Sequence, residues 1–152
     1  MKDFSIAIPS SWPLVSKDSN GVPSPSSGKI VLIASAPEAQ NGFANNIVIL
    51  EESISGTTTS KELALASKIG IKKEFYTYKE IESGDMIFSD EETSHLSVFL
   101  AQYNKNTPKA NFLQTVRICD SKSFTLTLSV SKDVTDFTRY KNLISTFQCK
   151  SN

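Results

Sequence analysis

Histidine, tryptophan and cysteine are scarce in this chain of 152 residues, which holds one histidine, one tryptophan and two cysteines. A zinc site needs several histidine or cysteine ligands, and a Ser-His-Asp or Cys-His arrangement needs a histidine beside its nucleophile. His95 is the one histidine that either kind of site could use. We interpret it as a plain surface or edge histidine at the start of a strand, so a small metal-dependent enzyme or hydrolase is the least favoured class of function.

Net charge and long hydrophobic runs are also absent. The sixteen basic residues balance the sixteen acidic ones, whereas nucleic-acid binders carry a basic surface. No apolar run approaches the roughly 18 residues of a membrane-spanning helix. The sequence therefore predicts no nucleic-acid partner, although a local basic patch stays open, and it predicts membrane contact only through an N-terminal anchor that it does not include.

The acidic run Asp85, Asp90, Glu91 and Glu92, with His95 close behind, is the best chemical cluster in a chain that has no phosphate loop and no dinucleotide fingerprint. Hard cations bind several oxygen ligands, but this run lacks the spacing and the glycine of a calcium loop. We interpret it as a solvated acidic loop that discourages edge pairing of strands. No catalytic residue, metal or cofactor is predicted, and these five residues are the weak metal candidates.

Cys119 and Cys149 allow two interpretations. They could form a disulfide in an extracytoplasmic protein, but two cysteines carry little pattern information. Strand alternation places Cys119 on the face of Leu113, Thr115 and Arg117 rather than on that of Val116 and Ile118. We therefore expect two unpaired thiols, with a bridge as the alternative.

The strongest structural signal lies in the last third of a chain whose length, residues 1–152, fits one domain. In the strand predicted over 124–131, apolar and hydroxyl residues alternate, which places Phe124, Leu126, Leu128 and Val130 on one face. A polar turn at 120–123 joins this strand to another over 112–119. The pair should form an antiparallel hairpin.

Further strands are predicted over 4–8, 30–33, 47–53, 75–81, 86–88 and 96–103. The runs 30–33 and 47–50 are apolar at every position, which is typical of strands covered on both faces. Turns are expected at Asn41-Gly42 and at 83–85. Polar loops are expected over 16–29 and 104–108.

Two helices complete the prediction. Thr59 and Glu62 have the spacing of a capping box, and Gly70 is the expected terminator. The second helix should begin near Asp133 or Thr135 and end near Phe147, with an apolar stripe at Phe137, Tyr140, Ile144 and Phe147. One helix on each face gives an α+β fold, an antiparallel sheet in a three-layer α/β/α sandwich.

Four aromatic residues are candidates for a binding surface. Tyr76, Tyr78 and Tyr103 could line a groove for a peptide or an apolar ligand, although such residues more often pack on a sheet. Trp12 is the fourth, and we interpret it chiefly as an anchor that packs the first turn onto the core.

Several short sequence segments, in their order along the chain, resemble the Mog1/PsbP-like domains. They are Phe4-Ser5-Ile6-Ala7-Ile8-Pro9 leading to Trp12, Asn45 to Glu52, Glu62-Leu63-Ala64, and Leu143 to Phe147. The resemblance covers nearly the whole chain and implies the same three-layer fold. That family includes a nuclear-transport factor that binds a small GTPase, extrinsic subunits of photosystem II and bacterial lipoproteins, and it has no shared catalytic residue to carry over.

The resemblance implies a non-catalytic accessory or protein-binding domain, the soluble part of a bacterial secreted protein or lipoprotein. The alternative is a cytoplasmic or nuclear module that binds a small GTPase. No leader is visible at Met1, which fits either a cytoplasmic chain or a mature domain whose leader has been removed. We expect an extracytoplasmic monomer whose partner is another protein.

Overall fold

A computed structural model describes residues 3–16, 25, 27–39 and 43–150 of the chain. A six-stranded antiparallel sheet has the order β2-β3-β7-β6-β5-β4, and a small second sheet pairs β1 with β8. In chain order the elements are β1 (Phe4–Ser5), β2 (Lys29–Ser35), β3 (Asn46–Ser53), α1 (Ser60–Glu74), β4 (Tyr76–Ile87), β5 (Thr93–Gln102), β6 (Lys109–Cys119), β7 (Lys122–Ser131), α2 (Thr138–Ser145) and β8 (Gln148–Cys149).

The two faces of the large sheet are covered by different helices, because successive side chains of a strand point to opposite faces. The predicted row on β7 packs with the apolar stripe of α2 in the larger core cluster. On the opposite face, Ile71 of α1 packs with Phe99 and Phe112. The three-layer α+β sandwich and the hairpin of β6 and β7 are thereby confirmed.

The capping box of α1 is present in both directions. The amide of Glu62 donates to the Thr59 hydroxyl at 3.1 Å, and the amide of Thr59 donates to the Glu62 carboxylate at 3.4 Å. Gly70 does not end the helix, which runs on to Glu74. A glycine inside a helix costs about 1 kcal/mol, but burial of Ile71 stabilises the extra turn by about 1.5–3 kcal/mol.

The turn predicted at 83–85 is wrong, because β4 continues without a break from Tyr76 to Ile87. Ser83 pairs with Ser97 and Asp85 with His95 across the β4–β5 ladder. Lys61 and Lys68 of α1 bind Asp85 and Ser83 from above. These cross-strand and helix contacts outweigh the local turn preference of Ser-Gly-Asp.

Two other boundaries differ from prediction. β1 covers only residues 4 and 5 of the strand expected over 4–8. The last helix begins at Thr138, since the Asn111 amide donates to the carbonyls of Ser131, Lys132 and Val134 and holds that segment as a turn. The Asn41-Gly42 turn and most of the loop over 16–29 lie outside the described residues.

The expectation of free thiols is wrong, because Cys119 and Cys149 form a disulfide with a Cα–Cα distance of 5.6 Å. Cys119 does share a face with Leu113, as strand alternation predicted. That face is the one covered by α2 and by the closing segment that holds Cys149. A bridge over this separation of 30 residues is worth about 3–4 kcal/mol in the chain-entropy account.

Replacing Gly70 with alanine should raise the free energy of unfolding by about 0.5–1 kcal/mol, because alanine favours a helix and a Cβ there meets no atom within 4 Å. Urea unfolding of the purified domain measures this. The matched control is Gly56→Ala, which also has open space but a φ of +83°. The free energy of unfolding of Gly56→Ala should fall by about 1 kcal/mol. A higher free energy of unfolding for Gly56→Ala, or a lower one for Gly70→Ala, would contradict this explanation.

Candidate protein-binding surface

The structure disperses the predicted acidic cluster into separate contacts. Asp85 binds Lys61 at 3.0 Å, Asp90 binds Arg117, and Glu92 accepts from the Ser60 hydroxyl at 3.1 Å. Glu91 sits in the turn between β4 and β5 with a φ of +72°. Across the residues that the structure describes, no group of three acidic, histidine or cysteine side chains is placed to hold a metal ion.

The contact between Asp90 and Arg117 is the most buried ion pair in this region. Two parallel hydrogen bonds of 2.6 and 2.8 Å join the guanidinium to the carboxylate, and the guanidinium also lies 5.1 Å from the centre of the Phe88 ring. Arg117 is 7% exposed. Hydrogen bonding to Arg117 holds the pKa of Asp90 below its ordinary value, and the ion pair attaches the turn between β4 and β5 to β6.

The expectation of a surface or edge position for His95 is wrong, because His95 is 7% exposed and β5 lies between β4 and β6. It also has a serine neighbour that sequence reasoning missed. Its Nε2 lies 2.8 Å from the Ser83 hydroxyl, which accepts a hydrogen bond from Lys68 at 2.9 Å. Burial, followed by the charge of Lys68, lowers the pKa of His95, which favours the neutral ring. The two residues are twelve positions apart, and only the antiparallel pairing of β4 with β5 brings them together.

Ser83 and His95 are close enough to exchange a proton, which is one requirement of nucleophilic catalysis. Such catalysis also needs a group that orients the second ring nitrogen. Within the described part of the chain, no hydrogen bond reaches Nδ1 of His95. The geometry accounts for the contact as a link between α1, β4 and β5.

The four aromatic candidates occupy different environments. Trp12 is 8% exposed and belongs to the larger core. Tyr78 is half-buried against Phe99, at 5.2 Å between ring centres, and burial raises its pKa. Tyr76 and Tyr103 are 44% and 50% exposed. Only these last two offer a substantial surface to a partner.

Tyr76 and Tyr103 lie at the same end of the sheet, where β4 begins and β5 ends. Tyr103 packs edge-on against Phe75 at 5.9 Å, and the ammonium of Lys105 lies 5.9 Å from the centre of the Tyr76 ring. Tyr76 pairs with Gln102, and Gln102 pairs with Lys109. We call the surface formed by Tyr76, Tyr103, Lys105 and Lys109 the tyrosine–lysine end.

A groove between α2 and β4 is a second surface feature, with a volume of about 340 Å³. Met86, Leu96 and Val98 supply its apolar lining. The ion pair of Glu82 with Lys141 joins its two sides. Because these two charges neutralise each other, the groove shows no electrostatic preference for one class of ligand.

No protein-family model matches the chain, and no curated protein matches it by sequence. Solved structures do match. The solution structure of cyanobacterial PsbP (CyanoP) from Synechocystis sp. PCC 6803 superposes with a TM-score of 0.64 over 97% of this chain and 87% of that one, at 14% identity. Protein PA94 of unknown function from Pseudomonas aeruginosa gives 0.63 over 93% and 99%, at 12% identity.

A crystal structure from Bacteroides thetaiotaomicron gives a TM-score of 0.52 at 12% identity, and there this chain spans 46% of the longer protein. The architecture is therefore an α+β sandwich that recurs among bacterial proteins. More specifically, it is the PsbP-like fold, as the order of the sequence segments had implied. Identities of 12–14% establish the fold and leave the function to be argued from this chain's own residues.

Asp90→Asn should lower the free energy of unfolding at pH 7 by about 1.5–3 kcal/mol, because the buried Arg117 loses its charged acceptor. The neighbouring acidic residue supplies the control, and Glu91→Gln should stay within about 0.5 kcal/mol. Urea unfolding of the unmodified protein, Asp90→Asn and Glu91→Gln measures the three free energies of unfolding.

The pH dependence of that difference has a definite sign. The pKa of Asp90 is lowered in the fold, so its stabilisation is present above the ordinary aspartate pKa of about 3.9 and is lost as the pH falls through the lowered value. The Asp90→Asn difference should therefore shrink at pH 3. A difference of the same size at pH 7 and pH 3 would contradict the charge-based explanation.

Proposed function

We propose that this chain is a non-catalytic accessory domain that binds another protein outside the cytoplasm, as the soluble part of a bacterial secreted protein or lipoprotein. The exposed pair Tyr76 and Tyr103 is the observation that carries the binding role. The disulfide of Cys119 with Cys149 supports the location.

Tyrosine suits a protein interface because its ring contributes apolar contact area, its hydroxyl forms hydrogen bonds, and it loses little conformational entropy on binding. Tyr103 is already oriented by Phe75, and Tyr76 by the Lys105 ammonium. Side chains that are restrained before binding lose less entropy when a partner arrives. The scaffold beneath them is the rigid end of a six-stranded sheet.

The disulfide favours an oxidising compartment, since such bonds are rare in cytosolic and nuclear proteins. This weighs against the alternative, a cytoplasmic or nuclear module that binds a small GTPase. No helix in the described ranges is long and apolar enough to cross a membrane.

The oxidation state of the native protein tests the location. Protein isolated from its own cells without reductant should show an intact mass two hydrogens below that of the reduced chain, and alkylation should occur only after reduction. Its N-terminus should carry the mark of leader processing or lipid attachment. Two free thiols on an unprocessed N-terminus would instead support the cytoplasmic module.

Photo-crosslinking tests the binding role. A benzophenone amino acid is placed at Tyr76, at Tyr103 and, for comparison, at the exposed Ile87 and Leu14. Irradiation of living cells should give one discrete adduct from Tyr76 or Tyr103, identified by mass spectrometry and reproduced with the purified partner. Absence of a specific adduct from all four positions would overturn the proposed function.

A further inference from the structure

Positive charge is unevenly compensated over the surface. Carboxylates pair with five lysines elsewhere on the described sheet and helices, namely Lys29, Lys61, Lys68, Lys122 and Lys141. Lys105 and Lys109 of the tyrosine–lysine end are exposed and make no ion pair with any residue that the structure describes. This end therefore presents two ammonium groups that have no carboxylate partner among the described residues.

Strand register places two more lysines beside this surface. Ala110 pairs with Ser131, so Lys109 and Lys132 lie next to each other at the ends of β6 and β7. Lys79 follows Tyr76 on β4 and pairs with Leu100. Neighbouring strands are about 4.8 Å apart, so Tyr76 and Lys109, two strands apart, are separated by about 10 Å.

Acidic residues at this end are fewer than the lysines. Glu74 lies near enough to Tyr103 to raise the pKa of its phenol, after the larger effect of burial. Asp133 follows Lys132 in sequence and has an interaction of its own. Asp136, in the same connection as Lys132, accepts a hydrogen bond from the amide of Thr138. Four lysines against these three carboxylates leave a small positive excess, within a chain whose formal net charge is zero.

We propose that the tyrosine–lysine end recognises an acidic, extended segment of the partner protein. This inference rests on the proposed function and specifies the partner's chemistry. Carboxylates spaced along such a segment would pair with Lys105 and Lys109, and its backbone or apolar side chains would cover the rings of Tyr76 and Tyr103. Charge complementarity of this kind sets orientation and speeds encounter.

An acidic protein segment fits better than an anionic membrane surface. Interfacial binding depends on apolar side chains that enter the lipid, such as Trp, Phe and Leu, beside the cations. The large exposed side chains of this end are tyrosines, whose hydroxyls remain polar, and one of the two rings already lies beside a lysine ammonium. The membrane surface is therefore an outcome for the test to exclude.

The probe is a fluorescent peptide of about fifteen residues rich in Asp and Glu, compared with its Asn and Gln counterpart. Fluorescence anisotropy gives the dissociation constants, and amide chemical shifts locate the site. The acidic peptide should bind at low salt, shift the amides of Tyr76, Lys105 and Lys109, and weaken as salt shortens the screening length to about 10 Å at 0.1 M.

Two matched charge reversals distinguish binding at this surface from non-specific electrostatic attraction of the acidic peptide. Lys109→Glu should weaken peptide binding about three- to ten-fold, since each exposed ion pair is worth a few-fold in affinity. Lys150→Glu makes the same change in net charge at β8, beside the disulfide and at the opposite end of β6, and should leave affinity unchanged. Equal weakening by both variants, or equal binding of the neutral peptide, would overturn the proposal.

Three further outcomes test this inference separately from the proposed function. Binding to phosphatidylglycerol vesicles without binding to the acidic peptide would overturn the inference in favour of a lipid surface. A specific cellular adduct from Ile87 together with no adduct from Tyr76 or Tyr103 would overturn it while the binding role of the domain stands. A Tyr76 adduct lost in the Lys109→Glu protein and kept in Lys150→Glu would support it.

Discussion

Burial on both faces of the central hairpin is the constraint on which the rest of the structure depends. β6 and β7 pair along their whole length, and Leu113, Leu126 and Leu128 are completely buried on one face. Phe112 is buried on the other face. A strand covered on both sides needs a layer above and a layer below. The helices α1 and α2 supply these layers, and their positions decide which edges and ends of the sheet stay exposed.

The two ends of the sheet differ in how their charged side chains are paired. At the end where β6 and β7 turn, Asp90 is paired with Arg117 and Cys119 is bonded to Cys149. The disulfide also attaches the C-terminal strand to the sheet and so orders its partner β1. At the far end, Tyr76, Tyr103, Lys105 and Lys109 are exposed, and these lysines make no ion pair within the described part of the chain. A scaffold with one end held by an ion pair and a disulfide, and with polar side chains exposed at the other end, is suited to presenting a surface to another protein.

The structure also explains why the chemically suggestive residues of the sequence do not form one site. The carboxylates that follow one another along the chain have different partners: Lys61 and Ser60 of α1 bind Asp85 and Glu92, and Arg117 of β6 binds Asp90. Residues close in sequence around the turn between β4 and β5 therefore contact different elements. The positive surface, by contrast, is assembled from lysines on separate strands and loops.

The sequence by itself determined the periodic features. Alternation over 124–131 predicted the buried row of β7, the stripe from Phe137 to Phe147 predicted the buried face of the last helix, and Thr59 with Glu62 predicted a helix start, since each depends on residues a few positions apart. Tertiary structure alone decided the extension of α1 past Gly70, the straight passage of β4 through Ser83-Gly84-Asp85, the disulfide, and the alignment of Tyr76 with Lys109 across β5. Each of these depends on residues distant in sequence whose contacts outweigh local preference or create neighbours that no spacing reveals.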